Sequence, residues 1–172
     1  MKQLILCRHA KSSWKHQGLD DIDRPLNRRG KENALLMGER LAGRRMIPDL
    51  ILSSPAKRAR KTAVRLCRGM QASKELIRIK KALYATDCTG LLKVISKTDD
   101  CYKRVMLIGH NHELTRLANL LAPVDIYNVP TCGVVVYRLA VKRWLNVGQA
   151  RAELLFFDYP KKQDSDLYEK QT

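Results

Sequence analysis

Short apolar runs alternate along the chain with longer segments whose apolar residues repeat at helical spacing. The clearest predicted strands are residues 4–7, 49–52 and 104–108. A short apolar run is typical of a strand that is covered on both faces, as in a parallel sheet. Strands that alternate with helices therefore predict an α/β fold, a three-layer α/β/α sandwich with a largely parallel, mixed central sheet.

Capping residues place the predicted helices between those strands. Asn27, Ser54 and Asn111 each precede a segment with helical apolar spacing, and Pro55 suits a first helical position. The other predicted elements are a strand at 76–82, a short helix at 90–96, and strands at 133–140 and 152–157. The 172 residues suffice for one core and show no internal repeat. We expect one domain at 1–160 and a polar C-terminal tail at 161–172.

The one abnormal total is the formal net charge of +16. Residues 57–81 contain ten lysines and arginines but a single acidic residue, Glu75. A field of this sign attracts phosphate esters, acidic protein surfaces or nucleic acid. A charge run is also typical of a solvated helix face, and both interpretations stay open at this point.

The five cysteines lie far apart and include no C-x-x-C pair. In a chain without an export signal this pattern is typical of reduced thiols in the cytoplasm. The apolar run at 4–7 lies too close to Met1 to belong to a signal peptide, and the apolar runs are too short to span a bilayer. We therefore expect a soluble cytoplasmic protein without a membrane partner.

Polar residues directly follow three of the predicted strands. Arg8 and His9 follow the first, Ser53 and Ser54 follow the second and lead into the basic pair at 57–58, and residues 110–112 (HNH) follow the strand at 104–108. The carboxyl ends of parallel strands share one edge of the sheet, where α/β proteins bind ligands, so we expect these side chains to converge. Helix N-termini and arginines at such an edge predict an anion site, because both present N–H groups that match phosphate oxygens.

The same segments carry a family resemblance. Arg8-His9-Ala10 resembles the Arg-His-Gly signature of the histidine phosphatases, a phosphoglycerate mutase-like superfamily. Residues 53–59 (SSPAKRA) resemble its arginine-bearing block, and residues 108–111 (IGHN) resemble its second histidine block. Residues 8–14, 23–26 and 29–30 are further similar to the SixA-like phosphohistidine phosphatase branch. Three motifs in this order are far more specific than any one of them.

The resemblance implies a role for each matching residue. His9 is the nucleophile, Arg8 and Arg58 clamp the phosphoryl oxygens, and His110 contacts the same oxygens and stabilises the transition state. Neutral imidazole is a competent nucleophile, and two arginines supply positioning and positive charge. The implied enzyme is a metal-independent hydrolase that needs no cofactor.

Three further residues are candidate substrate ligands, namely Ser12, Arg24 and Asn111. By resemblance, the counterpart of Ser12 donates to the phosphate. Arg24 has two interpretations, a contact to substrate or an ion pair with a carboxylate.

Two alternatives involve neighbouring residues. If the register of the second motif is shifted, Lys57 or Arg60 takes the place of Arg58. His112 and Glu113, beside the third motif, resemble part of a metal site. Alternate residues at a junction between a strand and a helix seldom point together, however, and we predict no metal.

Two departures from the family pattern bear on the substrate. Ala10 replaces the usual glycine, as it does in the SixA-like branch. Many superfamily members carry a glutamate after the third strand as proton donor to an ester leaving group, whereas residues 83–87 offer only Asp87. Asp87 is therefore the candidate general acid, and an aspartate of a surface turn is the alternative.

Three functions follow as hypotheses. The first is a phosphatase that forms a phosphohistidine intermediate on His9 and dephosphorylates phosphohistidine in proteins. Its expected partners are an acidic phosphorylated protein and, in the pocket, phosphate or a similar anion. The second is a small-molecule phosphomonoesterase with the same nucleophile. The third, a basic nucleic-acid-binding protein, is disfavoured because no aromatic residues interleave with the basic run at 57–81.

Overall fold

The computed structural model describes residues 1–162, which form a six-stranded mixed sheet with helices on both faces. The strands are β1 (Lys2–Arg8), β2 (Leu50–Ser53), β3 (Ile77–Ile79), β4 (Arg104–Gly109), β5 (Val134–Leu139) and β6 (Ala152–Asp158). The helices are α1 (Arg28–Gly43), α2 (Lys57–Met70), α3 (Cys88–Ser96) and α4 (Glu113–Leu121). The predicted tail lies, from residue 163 onward, outside the described residues.

The strand order across the sheet is β3-β2-β4-β1-β5-β6. The first four strands in that order are parallel to one another. Strand β5 runs antiparallel to β1, and β6 runs antiparallel to β5. The predicted α/β architecture is thereby confirmed. Because β1, β2 and β4 are parallel neighbours, their carboxyl ends meet at one edge, as the sequence predicted.

The apolar run in β1 explains its central place. Leu4 and Leu6 belong to the core on one face of the sheet, and Ile5 and Cys7 belong to the core on the other. All four side chains are fully buried. A strand with this pattern is stable only between two layers of helices.

Helices α1 and α2 approach each other closely through two glycines. A Cβ atom on Gly38 would lie 2.4 Å from the Leu66 carbonyl oxygen, and one on Gly69 would lie 2.2 Å from that of Leu35. Only glycine fits at both positions, so the two helices pack with their backbones nearly in contact.

Several boundaries differ from the sequence prediction. Asn27 caps α1 as predicted, because its side chain accepts from the Gly30 amide. The prediction that Ser54 and Pro55 begin α2 is wrong by two residues: Ala56 is the N-cap, and the Ser54 hydroxyl accepts from its amide. The strand predicted at 76–82 is only three residues long, because residues 81–83 turn into a 3₁₀ helix. Within residues 1–162, no helix has the length and apolar character needed to cross a membrane.

Candidate active site

His9 lies where β1 leaves the sheet, and backbone hydrogen bonds hold it from both sides. Its amide donates to the Gly109 carbonyl at 3.1 Å, and the Cys132 amide donates to the carbonyls of Arg8 and His9 at 3.0 and 3.2 Å. The His9 and His110 ring centroids are 5.2 Å apart. The neighbouring strands β1 and β4 thus place the two predicted histidines side by side at the edge of the sheet.

The hydrogen bonds of His9 define its tautomer. Its Nδ1–H donates to the Ala10 carbonyl oxygen at 2.8 Å, since a carbonyl only accepts. Nε2 therefore keeps its lone pair, and Arg58 Nε approaches it at 3.4 Å. The pKa of His9 is lowered to about 3, chiefly because burial desolvates the ring; the Ala10 hydrogen bond opposes this shift, and the neighbouring His110, Arg58 and Arg8 add to it. A neutral imidazole with a free Nε2 is the form that attacks an electrophile.

His110 has the matching arrangement. Its Nδ1 lies 3.4 Å from Arg58 Nη2, which only donates, so its Nε2–H donates to the Ser54 hydroxyl at 2.7 Å. Burial, followed by the charge of Arg58, lowers the pKa of His110 to about 4. Ser54 thus orients this ring from the end of β2.

We expect both imidazoles of the free protein to stay neutral from about pH 8 to about pH 5, because their pKa values lie below the ordinary 6.5. Long-range ¹H–¹⁵N NMR spectra recorded across this range would show unshifted ring nitrogens for His9 and His110. A titration midpoint near 6.5 for His9 would contradict this expectation.

Arg58 is the residue that joins the two histidines. It lies in the first turn of α2 and is only 6% exposed. Its Nη1 donates to the Asp21 carbonyl at 2.6 Å and its Nη2 to the Asp21 carboxylate at 2.9 Å. Arg60, the alternative in a shifted register, is exposed and donates to the Pro55 carbonyl. The geometry therefore favours Arg58 as the arginine of this site.

Arg8 reaches the site from the last position of β1. Its Nη1 donates to the Val129 carbonyl at 3.0 Å. Its Nε is buried and has no hydrogen-bond partner within residues 1–162. A buried donor without a partner is costly, so an acceptor oxygen at this point would be stabilising.

Ser12 and Arg24 form one cluster at the rim of the site. Arg24 donates to the Ser12 hydroxyl and forms an ion pair with Asp21 at 3.0 Å. Its guanidinium also lies 3.2 Å above the ring of Trp14, which is 79% exposed. Of the two interpretations of Arg24, the structure displays the pairing with a carboxylate.

Asn111 and Asp87 are occupied by structural hydrogen bonds. The Asn111 amide nitrogen donates to Asn128 and Val129, and its oxygen accepts from Thr115. Asn111 therefore does not cap α4 as predicted, because α4 begins at Glu113 after His112. Asp87 is exposed and caps α3 by accepting from the Gly90 amide at 2.8 Å.

Asp21 and Tyr84 belong to the site but were not predicted. Burial alone would raise the pKa of Asp21, but hydrogen bonds from Tyr84, Arg58 and Arg24 lower it to about 2. The Tyr84 hydroxyl donates to this carboxylate at 2.8 Å, and its ring packs edge-on against His110 at 5.6 Å. Tyr84 lies in the segment 83–87, which the sequence singled out because it contains Asp87, the candidate general acid. Nothing else in the sequence pointed to Tyr84.

The remaining alternatives lie apart from these groups. Glu113 accepts from the Cys88 amide and pairs with Arg116. Within the described part of the chain, no group of three His, Cys, Asp or Glu side chains is placed to hold a metal ion. Lys57 is half-buried at the start of α2.

Solved structures place this arrangement among known folds. SixA from Agrobacterium tumefaciens superimposes with a TM-score of 0.79 at 29% identity, covering 92% of this chain and 98% of that chain. The protein histidine phosphatase SixA in complex with tungstate superimposes with a TM-score of 0.77 at 19% identity, covering 92% and 97%. The fold is phosphoglycerate mutase-like and the architecture is SixA-like. Fold and site together define a hydrolase of the phosphatase class.

Sequence comparisons agree with this class. The model of the histidine phosphatase superfamily (branch 1) matches residues 4–83. An uncharacterised protein of Mycobacterium tuberculosis is 30% identical over 164 residues, which span 90% of this chain and 99% of that relative. Phosphoserine phosphatase 1 of Hydrogenobacter thermophilus is 43% identical over 70 residues, which span 38% of this chain and 31% of that enzyme. The chain belongs to the histidine phosphatase superfamily.

Proposed function

We propose that this protein dephosphorylates phosphohistidine in proteins through a phosphoryl intermediate on His9. The observation that carries the proposal is the state of His9: Nδ1–H is engaged by the Ala10 carbonyl, and Nε2 is left unprotonated beside Arg58 and His110. Nucleophilic catalysis requires this form of imidazole next to groups that stabilise developing negative charge.

In the first half-reaction, the lone pair of His9 Nε2 forms a bond to phosphorus. The bond from phosphorus to the substrate nitrogen breaks, and its electron pair stays on the departing imidazole. That imidazole leaves in its neutral form when its other nitrogen already carries a proton. Arg8 and Arg58 bind the equatorial oxygens, where charge accumulates in an in-line transfer. The buried Arg8 Nε supports this assignment, since a phosphoryl oxygen would give it a partner.

In the second half-reaction, a water oxygen forms a bond to phosphorus and the bond to His9 Nε2 breaks. The electron pair of that bond returns to Nε2 as its lone pair. One water proton passes to solvent, and phosphate carries the other. His9 is then restored in the tautomer that its contact to the Ala10 carbonyl favours.

The lack of a carboxylic acid proton donor in Asp21 or Asp87 supports a leaving group that departs through nitrogen. Asp21 has a pKa of about 2 and is ionised at neutral pH, so it has no proton to donate. Asp87 is committed to capping α3. An alkoxide leaving group benefits from a proton donor by about 10²- to 10⁴-fold, whereas an imidazole departs without one.

The test is kcat/KM on a phosphohistidine protein, an aryl phosphate and a sugar phosphate, with and without a chelator. We expect the phosphohistidine protein to be the best substrate, the aryl phosphate a poor one and the sugar phosphate hardly a substrate at all. The chelator should change none of these values, since Arg8 and Arg58 supply the positive charge and His110 supplies a neutral ring contact. Asp87→Asn should leave the order unchanged.

Two outcomes would overturn this proposal. Comparable efficiency on all three substrates, with a loss of about 10²-fold or more on the esters in Asp87→Asn, would show that Asp87 is a general acid. Loss of activity on chelation, restored by zinc or magnesium, would show that a metal supplies the charge instead.

A small-molecule phosphomonoesterase is the second candidate function. The similarity to phosphoserine phosphatase 1 favours it, because the matched region is 43% identical. The same assay distinguishes the two, since a monoesterase would prefer an ester over the phosphohistidine protein.

All five cysteines are unpaired, which supports a reducing compartment such as the cytoplasm for either activity.

A further inference from the structure

A basic cleft lies between the edge strand β3 and helix α3, separate from His9. Its volume is about 620 Å³. Five cations line it, with Arg78, Lys80 and Lys81 on the strand side and Lys93 and Lys97 on the helix side. All five are exposed, and none forms an ion pair within residues 1–162.

The cleft has an amphipathic lining. Val94 contributes apolar surface to it, and Leu50 and Leu52, which are 5% and 2% exposed, form its floor. Asp99, the one acidic residue in the lining, already accepts from the Cys101 amide at 2.8 Å. Thr98 lines the cleft with a buried hydroxyl that has no hydrogen-bond partner in the described chain. An unpaired hydroxyl in a buried position is unfavourable for folding.

The dimensions of the cleft suit a short extended segment. Gly90, Lys93, Val94 and Lys97 repeat at helical spacing along one face of α3 and span about 10 Å. An extended chain rises about 3.3 Å per residue, so about three residues fit along this wall.

The cleft begins beside the catalytic edge of the sheet. The Lys80 amide donates to the Ser53 carbonyl at 2.9 Å, and the next residue, Ser54, accepts from His110. The chain then turns through the 3₁₀ helix at 81–83 to Tyr84, which packs on His110. A segment that leaves the pocket in this direction would enter the cleft.

We infer that this cleft docks an acidic, partly apolar peptide segment of the phosphoprotein substrate. Carboxylates would pair with the two rows of cations, and an alternate apolar side chain would cover the leucines. The inference rests on the proposed function, because it names the part of the substrate that the enzyme recognises. Nucleic acid fits less well, because Tyr102 is the only aromatic residue that lines the cleft in the described chain, and single strands bind by stacking on several.

The test compares two variants that lose the same charge at different places. The cleft variant combines Arg78→Gln, Lys93→Gln and Lys97→Gln. The control combines Lys61→Gln, Arg65→Gln and Arg68→Gln on the solvent-facing side of α2. The probe is a fluorescein-labelled hexapeptide of alternating glutamate and leucine, and a labelled single-stranded hexanucleotide is the second probe.

We expect the cleft variant to bind the peptide about tenfold more weakly than the wild type, and the control to change binding by less than about threefold. On a phosphohistidine protein with an acidic flank, the cleft variant should show a KM raised about tenfold at unchanged kcat. Its activity on an aryl phosphate should be unaffected.

Equal losses in both variants would overturn the inference, since they would show that only the overall field attracts the peptide. Tighter binding of the hexanucleotide than of the peptide, lost in the cleft variant, would overturn it in favour of nucleic acid. If the wild type releases no phosphate from the phosphoprotein, the proposed function fails. Peptide binding that is lost only in the cleft variant would then still support the docking site.

Discussion

His9→Ala is expected to abolish turnover, with a loss on the order of 10⁵-fold or more, because no other group on the sheet edge takes over a missing nucleophile. The fold should survive, since within residues 1–162 the side chain of His9 bonds only Arg58 and the neighbouring carbonyl of Ala10. Unfolding experiments should place the variant within about 1 to 2 kcal/mol of the wild type.

Rapid quenching of the wild type during turnover should trap a phosphoryl group on the protein. A phosphoryl group on nitrogen is labile in acid and stable in base, and a peptide map should locate it on His9. His16→Ala is the matched control, because His16 is exposed and should keep full activity. Substantial turnover by His9→Ala, or a trapped group that survives acid, would rule out the proposed intermediate.

Arg58→Ala should raise the free energy of the transition state by about 2 to 4 kcal/mol, the usual cost of removing one preorganised electrostatic group. The loss should fall mainly on kcat and not on KM, because Arg58 lies 3.4 Å from Nε2 of His9, the proposed nucleophile, and 3.4 Å from Nδ1 of His110. Arg58 is also buried against Asp21, so the thermal midpoint must be measured on the same preparation to separate stability from catalysis.

Arg60→Ala is the control for Arg58→Ala. Arg60 lies two residues further along α2, and in the described part of the chain its side chain bonds only the Pro55 carbonyl. We expect this variant to retain activity within about twofold, as exposed substitutions usually do. A damaging Arg60→Ala beside a mild Arg58→Ala would show that the assigned arginine is wrong.

The sequence was sufficient for the parts of the molecule that depend on local pattern. The apolar run at 4–7 predicted a strand covered on both faces, and β1 lies in the middle of the sheet with helices on either side. The strand-end rule then predicted that His9, His110 and the basic pair at 57–58 converge, and the family resemblance selected Arg58 from that pair. The side chains of His9, Arg58 and His110 lie in mutual contact. Both predictions rest on the geometry of parallel strands, which sequence periodicity reports directly.

Contacts between segments far apart in sequence were not predictable in the same way. Asp21 meets Arg58 from 37 positions away and Tyr84 from 63. Their approach depends on how the loop after β1 folds back over the sheet edge, and no periodic signal encodes that path. Asn111 is a further example. Its position before a helix predicted a cap, but its side-chain amide donates to Asn128 and Val129, which lie in a different segment.

The close packing of Gly38 against Gly69 has a consequence for the chemistry at the other end of α2. Arg58 and Gly69 are eleven residues apart on a single helix, a distance of about 16 Å. A helix behaves as a stiff rod over that length, so its tilt at the glycines sets where the guanidinium lies. The position of the Arg58 guanidinium therefore depends in part on a helix contact at the far end of α2, and a single added methyl group there would push the two helices apart and shift the guanidinium.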